Sequence, residues 1–230
     1  MEHRELRERV FETNRELVRA GLVVLTFGNA SAADRDAGVL AIKPSGVPYD
    51  ELGPESMVVV DLKTGKASGS FRPSSDTPTH LVLYREFERV GGIVHTHSTA
   101  ATAWAQACRP IPCLGTTHAD HFHGEVPVTR ALTREEIEGD YERATGELIA
   151  ETLAGKDPLG MPAVLVASHG VFVWGTDAEQ AVENAVALEV VAELALRTVA
   201  LEPGVRPLAR ELLDRHFLRK HGPTAYYGQA

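Results

Sequence analysis

The chain has 230 residues, 43% of them hydrophobic and 24% charged, with a formal net charge of -9. That length carries one substantial core without staples. No apolar run approaches the ~20 residues of a membrane helix, and the acidic balance lacks the basic stripe that a nucleic-acid backbone requires. A small phosphorylated ligand stays compatible with this charge, because a few local donors hold it whatever the global sign. The charged segment from Met1 to Glu8 does not read as a secretory signal. Cys108 and Cys113 match neither a redox pair nor a disulfide scaffold. A cytoplasmic protein with two ordinary thiols is expected.

In chain order, Leu6, Val10, Phe11, Leu17 and Val18 share one helical face, and Gly21 is placed to end that helix. A short strand is expected at Leu22 to Thr26, with further strands at Val39 to Ile42 and Met57 to Asp61 between Gly, Pro and Ser turns. Asp76-Thr77-Pro78 opens a helix near Thr79 to Phe87, Pro78 lying in the first turn where its missing N–H costs nothing. Next comes a buried strand ending in Gly91-Gly92-Ile93-Val94-His95-Thr96-His97-Ser98, then a helix from Thr99 to about Ala107. Thr133 to Glu136 has the form of a capping box and begins a helix to about Leu153. Ala163 to Ala167 reads as a central strand. A second box, Thr176 to Glu179, opens a helix to about Ala200 whose apolar residues are numerous enough to need cover on more than one face, by another subunit for example. There is no repeat and no linker, so residues 1–230 are expected to form one α/β domain.

Chemistry concentrates in the histidines. Side chains alternate along a strand, so His95 and His97 point the same way and bring two nitrogens to one place. That suits a divalent metal, zinc above all, and a third histidine is expected at another strand end. His169, in Ser168-His169-Gly170 after the apolar run, is that candidate. Asp76 is either a fourth ligand or simply the N-cap of its helix. His118, His121 and His123 form a rival cluster in a loop between Gly115 and Gly124, whereas His3, His80 and His221 read as surface or packing residues.

Three further segments, Gly28-Asn29-Ala30-Ser31, Lys43-Pro44-Ser45-Gly46 and Pro73-Ser74-Ser75-Asp76, could aim N–H and hydroxyl donors at a phosphate, with Lys43 adding a charge. Singly, each is also an ordinary turn. Asp120, between two histidines, is a candidate acid–base group. The tail from His216 to Gln229 is rich in reactive types, although Tyr226 and Tyr227 could equally anchor it by burying their rings.

On these segments the sequence resembles the L-ribulose-5-phosphate 4-epimerases of the class II sugar-phosphate aldolase superfamily, from Leu25-Thr26-Phe27-Gly28-Asn29-Ala30-Ser31 to Tyr226-Tyr227-Gly228-Gln229. Ile42 to Gly46, Pro73 to His80, Gly91 to Ser98, Gly115 to Asp120 and Ser168 to Gly170 carry the likeness. The resemblance implies a central mixed sheet flanked by helices, in a homotetramer with active sites at subunit interfaces. It implies zinc on His95, His97 and His169 with Asp76 as a further ligand, manganese or cobalt suiting the same donors. Gly28, Asn29, Ser45, Gly46, Ser74 and Ser75 match the family's substrate and phosphate contacts, with Lys43 close by. Asp120 and Tyr227 match its two acid–base residues, the tyrosine arriving from a neighbouring subunit, and His216 matches a supporting tail histidine. His121 and His123 stand where the family is expected to carry aromatic residues.

The chemistry implied by that family explains the set. In L-ribulose 5-phosphate the carbonyl is at C2, so the C4 proton is not activated and simple deprotonation cannot invert that centre. Breaking C3–C4, turning glycolaldehyde phosphate over and re-forming the bond gives D-xylulose 5-phosphate, with zinc as Lewis acid for the enediolate and two groups to take and return the C4 hydroxyl proton. Arabinose and ascorbate catabolism both use this reaction. An aldolase that releases its aldehyde, such as one acting on a deoxyketose 1-phosphate, is the alternative, and a noncatalytic adducin-head-like module is a third. Asp76, where those aldolases tend to carry glutamate, favours the epimerase together with Asp120 and the tail. Three histidines open to substrate argue against a scaffold.

Overall fold

The computed structural model describes residues 2–223, 225 and 226. Helix α1 (Arg4–Arg19) buries Leu6, Val10 and Leu17 along one stripe, and Gly21 follows its end at φ +69°. The strand expected at Leu22 to Thr26 does not form. That segment turns instead, with Leu25 in the left-handed region at φ +56° and the Phe27 N–H donating to the Val24 carbonyl. The first strand is β1 (Asn29–Asp34), which the sequence hides because its small residues have weak strand preference. Strands β2 (Val39–Ile42), β3 (Val58–Asp61) and the short β4 (Ala67–Ser68) follow.

Then come α2 (Thr77–Glu86), β5 (Gly92–Thr96), α3 (Thr99–Gln106) and a single turn, α4 (Thr116–Ala119). The capping box at Thr133 forms, its hydroxyl accepting from the Glu136 N–H, but the helix it begins is only α5 (Arg134–Glu138). Gly139 breaks it and the chain restarts as α6 (Tyr141–Thr152), in place of one helix running to Leu153. After β6 (Ala163–Leu165) comes β7 (Val171–Gly175), a strand absent from the sequence expectation. Helix α7 (Ala178–Leu201) starts one residue later than the expected box: Asp177 caps it by accepting from the Gln180 N–H, and Gln180 Oε1 accepts from the Thr176 N–H. The tail forms a helix as well, α8 (Arg210–His221).

The strands make one sheet in the order β4-β3-β2-β1-β5-β7-β6. Every ladder between these strands is antiparallel, and its mixed character is confined to one edge, where Val128 bridges Leu165 in parallel. The run Ala163 to Ala167 is therefore an edge strand and not a central one. It can be apolar there because the segment at Pro127 to Thr129 hydrogen-bonds to Leu165 and blunts the edge.

Alternation along the strands splits the core in two. Leu40, Ile42, Val58 and Val60 join Leu81, Leu83 and Tyr84 of α2, while Ala41 and Val59 meet Leu6 and Val10 of α1. Helix α7 buries Ala181, Ala185, Leu188 and Ala192 yet leaves Val186, Val190, Leu194 and Leu196 exposed, as its composition implied. Both cysteines are free thiols. Among the described residues no helix is long and apolar enough to cross a membrane.

Candidate metal centre and phosphate cleft

His95 lies in β5 and His97 one residue past its end, so the strand delivers both rings to the rim of the sheet. His169 joins them from the turn before β7, with ring centroids 4.9 to 5.0 Å apart for the three pairs. One nitrogen from each lies within 4.8 Å of the others, and this is the one group of three or more metal-ligating side chains among the described residues. His95 Nδ1 donates to the Val171 carbonyl at 2.9 Å and its ring stacks on Phe172, which leaves Nε2 bare. The turn that places His169 is tight: Ser168 has φ +62° and its N–H donates to the Ala105 carbonyl. Gly170 permits this closeness, since a Cβ there would lie 2.8 Å from the Thr96 carbonyl oxygen and about 3.5 Å from His97 Cε1.

Asp76 does not cap its helix. Its backbone sits at the N-cap, but its side chain accepts nothing from the helix, and Pro78 removes one of the N–H groups a cap would take. Oδ2 instead accepts from Asn29 Nδ2 at 2.7 Å and stands 3.9 Å from His95 Nε2. Asn29 is held there by register, because β1 pairs with β5 so that Asn29 faces His95. Burial opposes the charge on Asp76, yet His95, His80 and Asn29 outweigh it and hold the carboxyl below its ordinary value. Burial and the neighbouring rings push His169 down to about 4 and lower His97 as well. Imidazoles of lowered pKa at His97 and His169 beside a carboxylate held below its ordinary value, with the Asn29 Oδ1 buried and unpartnered, fit a divalent cation with open positions. His80 is a packing residue, as expected: it is fully buried and its Nδ1 pairs with Ser31 Oγ at 2.7 Å.

The three segments expected to offer donors to a phosphate converge beside this centre, in a cleft of about 560 Å³ that includes Gly28, Asn29, Lys43, Ser45, Gly46, Ser74, Ser75, Asp76 and the three histidines. The Ser74 N–H donates to the Lys43 carbonyl and the Ser45 N–H to that of Arg72, tying two of the segments together. Gly28 has φ +74°, and a Cβ there would come within 2.7 Å of the His95 carbonyl oxygen, so glycine is required. Lys43 is 2% exposed and meets no carboxylate at ion-pair distance among the described residues; burial lowers its pKa. Tyr141 and Glu142 also line the cleft, and Tyr141 Oη stands 3.3 Å from His169 Nδ1. Neither was found from sequence. The break at Gly139 that begins α6 at Tyr141 was the available signal.

Asp120 lies elsewhere. It accepts from Arg219 Nε and Nη2 at 3.0 and 2.7 Å and from His216 Nδ1 at 3.0 Å, and it does not line the cleft of its own chain. Asp120 and His216 are thus brought together by α8, away from the histidine triad. Tyr227 lies outside the described residues, and Tyr226 is 70% exposed, so its ring is no buried anchor. The rival histidines do not converge on a metal site: His118 is buried and bonds the Gly124 carbonyl, while His123 pairs with Asp214 at 2.7 Å.

The sheet thus gathers three histidines that could hold a metal ion, with a carboxylate beside them, at one rim next to a cradle of small donors. The chain belongs to the class II aldolase and adducin N-terminal domain family, whose model matches residues 8–196. Within it, the chain is 53% identical over 225 residues to L-ribulose-5-phosphate 4-epimerase UlaF of Salmonella typhi and to its namesake in Salmonella paratyphi A, covering 98% of this chain and 99% of each relative. Among solved structures, an L-fuculose 1-phosphate aldolase superposes with a TM-score of 0.79 at 25% identity, over 94% of this chain and 96% of that one. L-fuculose-1-phosphate aldolase from Thermus thermophilus shares the fold, with a TM-score of 0.69 at 24% identity over 89% of this chain and 100% of that one.

Proposed function

We propose that the protein is an L-ribulose-5-phosphate 4-epimerase, interconverting L-ribulose 5-phosphate and D-xylulose 5-phosphate by breaking and re-forming the C3–C4 bond. The observation that carries this reading is a single cleft joining Asp76, His95, His97 and His169 to Lys43, Ser45, Ser74 and Ser75, in a chain whose near relatives bear that name. A divalent cation on those four residues, zinc or else manganese or cobalt, supplies Lewis-acid stabilisation for the charge that cleavage leaves on the ketone fragment.

The chain's own residues do the rest. Lys43 and the donors of Gly28, Asn29, Ser45, Gly46, Ser74 and Ser75 grip the phosphate, so the two-carbon aldehyde stays bound while it turns its other face to the bond. One acid–base group takes the proton of the C4 hydroxyl and the other returns one from the opposite side; Asp120 and Tyr227 fill these roles. His216 orients Asp120 through its Nδ1 contact to Oδ1. Because Asp120 stands outside the cleft of its own chain, the reading includes a homotetramer in which a neighbouring subunit brings Asp120 and Tyr227 to the cleft. The enzyme would work in the cytoplasm, in arabinose catabolism or a related pentose route.

The test incubates metal-loaded protein with L-ribulose 5-phosphate and follows D-xylulose 5-phosphate beside free glycolaldehyde phosphate. Epimer without free aldehyde is expected. Free aldehyde with no epimer would make the protein an aldolase, and no conversion of either kind would remove the assignment.

A further inference from the structure

We infer that Tyr49 is a positioning residue for phosphate binding, holding both Lys43 and the Gly28 loop in the arrangement that receives the anion; this rests on the reading of the cleft as a phosphate site. Tyr49 begins a short turn after Pro48 and does not itself line the cleft. Its phenol nevertheless reaches two carbonyls of the loop, those of Phe27 and Gly28, each at 3.0 Å. Burial raises the pKa of this phenol, which keeps its proton available for donation.

The face of the same ring lies under Lys43, with Nζ 4.7 Å from the centroid. An ammonium that is almost wholly buried needs compensation. Here it has the ring and, at 3.4 Å, the Thr26 carbonyl. Ring and carbonyl attract the ammonium without neutralising it, so its charge is left for an incoming anion, whereas a carboxylate in their place would cancel it. The hydroxyl acts on the loop. In a trans peptide the N–H points opposite to the carbonyl, so anchoring the Phe27 carbonyl on Tyr49 sends the Gly28 N–H away from it, while Asn29 is engaged in the ladder opposite His95. One side chain thus couples the cation to the backbone donor at Gly28.

The test compares metal-loaded wild type, Tyr49→Phe and Tyr49→Leu, titrated with inorganic phosphate by calorimetry and assayed for KM and kcat on L-ribulose 5-phosphate. Tyr49→Phe keeps the ring and loses the carbonyl bridge, and should weaken phosphate about threefold. Tyr49→Leu loses both and should weaken it about tenfold, with KM rising in parallel and metal content unchanged. Where Lys43→Met is already present, the part of the Tyr49→Leu effect that exceeds that of Tyr49→Phe should disappear, which separates coupling to Lys43 from simple loss of packing. Phosphate affinity in Tyr49→Leu within twofold of wild type, or a loss confined to kcat, overturns the inference. Should wild type bind phosphate without turning over L-ribulose 5-phosphate, the proposed reaction fails while the binding series still decides the role of Tyr49. Absence of phosphate binding by wild type removes that role together with the phosphate site.

Discussion

Asp76 turns its carboxylate away from the helix it begins and toward His95, with Oδ2 3.9 Å from Nε2. A helix cap and a metal ligand therefore make different demands on this residue. If Asp76 serves the cation, Asp76→Ser, a good capping residue, should weaken zinc or cobalt binding by at least about tenfold while shifting the melting temperature of the metal-free protein by only a few degrees. Calorimetric metal titration beside thermal melts of the apoprotein reads both. Unchanged metal affinity would take Asp76 out of the coordination shell.

Gly170 lets the turn after β6 close on the histidine pair. Gly170→Ala places a methyl group 2.8 Å from the Thr96 carbonyl oxygen, and overpacking of this kind costs about 1–3 kcal/mol. Urea unfolding should show that loss, and metal affinity should fall with it, because the displaced neighbours are His95, His97 and the strand that carries them.

Among the described residues, Tyr141 is the one side chain hydrogen-bonding to His169, at 3.3 Å from Nδ1. Partners of this kind fix the orientation of a ligating imidazole, and their removal typically costs about 10–100-fold in metal affinity. Tyr141→Phe should lose about tenfold in a chelator competition and fold normally. Equal affinity in the variant would reduce Tyr141 to a wall of the cleft.

Asp120 joins α4 to α8 through Arg219 and His216. Although burial opposes its charge, hydrogen bonds from Arg219 and His216 lower its pKa in the folded protein. A depressed carboxyl stabilises the fold above its ordinary value, about 3.9, and that contribution is lost as the pH falls through the lower native value. The stability difference between wild type and Asp120→Asn should thus be constant above about pH 5 and shrink below about pH 4. Denaturant titrations at several pH values measure it. At neutral pH the same variant should keep its metal and lose epimerisation.

Much of the centre was legible because strand alternation is a local rule. His95 and His97 lie two residues apart and must share a side wherever the strand goes. The donors at Gly28-Asn29, Lys43 to Gly46 and Ser74-Ser75 were legible as residue types, small and polar beside glycine. Their convergence was not, because it depends on β1 pairing with β5 so that Asn29 faces His95. Strand β1 itself was invisible, since Asn-Ala-Ser-Ala-Ala-Asp gives no apolar alternation and its small side chains fit a crowded sheet interior. The expected strand at Leu22 to Thr26 has the opposite fault: apolar residues that turn out to line a bend. Tyr49 and Tyr141 escaped notice because a tyrosine's role depends on what its ring and hydroxyl face.

The sequence by itself determined the donor types, the shared direction of His95 and His97, and to within about two residues where α2, α3, α5 and α7 begin, all properties of spacing within one segment. Only the tertiary structure decided that His169 closes on that pair, that Asp76 leaves its helix to stand by His95, and that Asp120 sits with α8 outside the cleft of its own chain. The physical reason is one of range. Distances within a segment follow from the period of a strand or helix, whereas distances between segments follow from sheet register and from single turns, such as Ser168 at φ +62°, which no periodicity encodes.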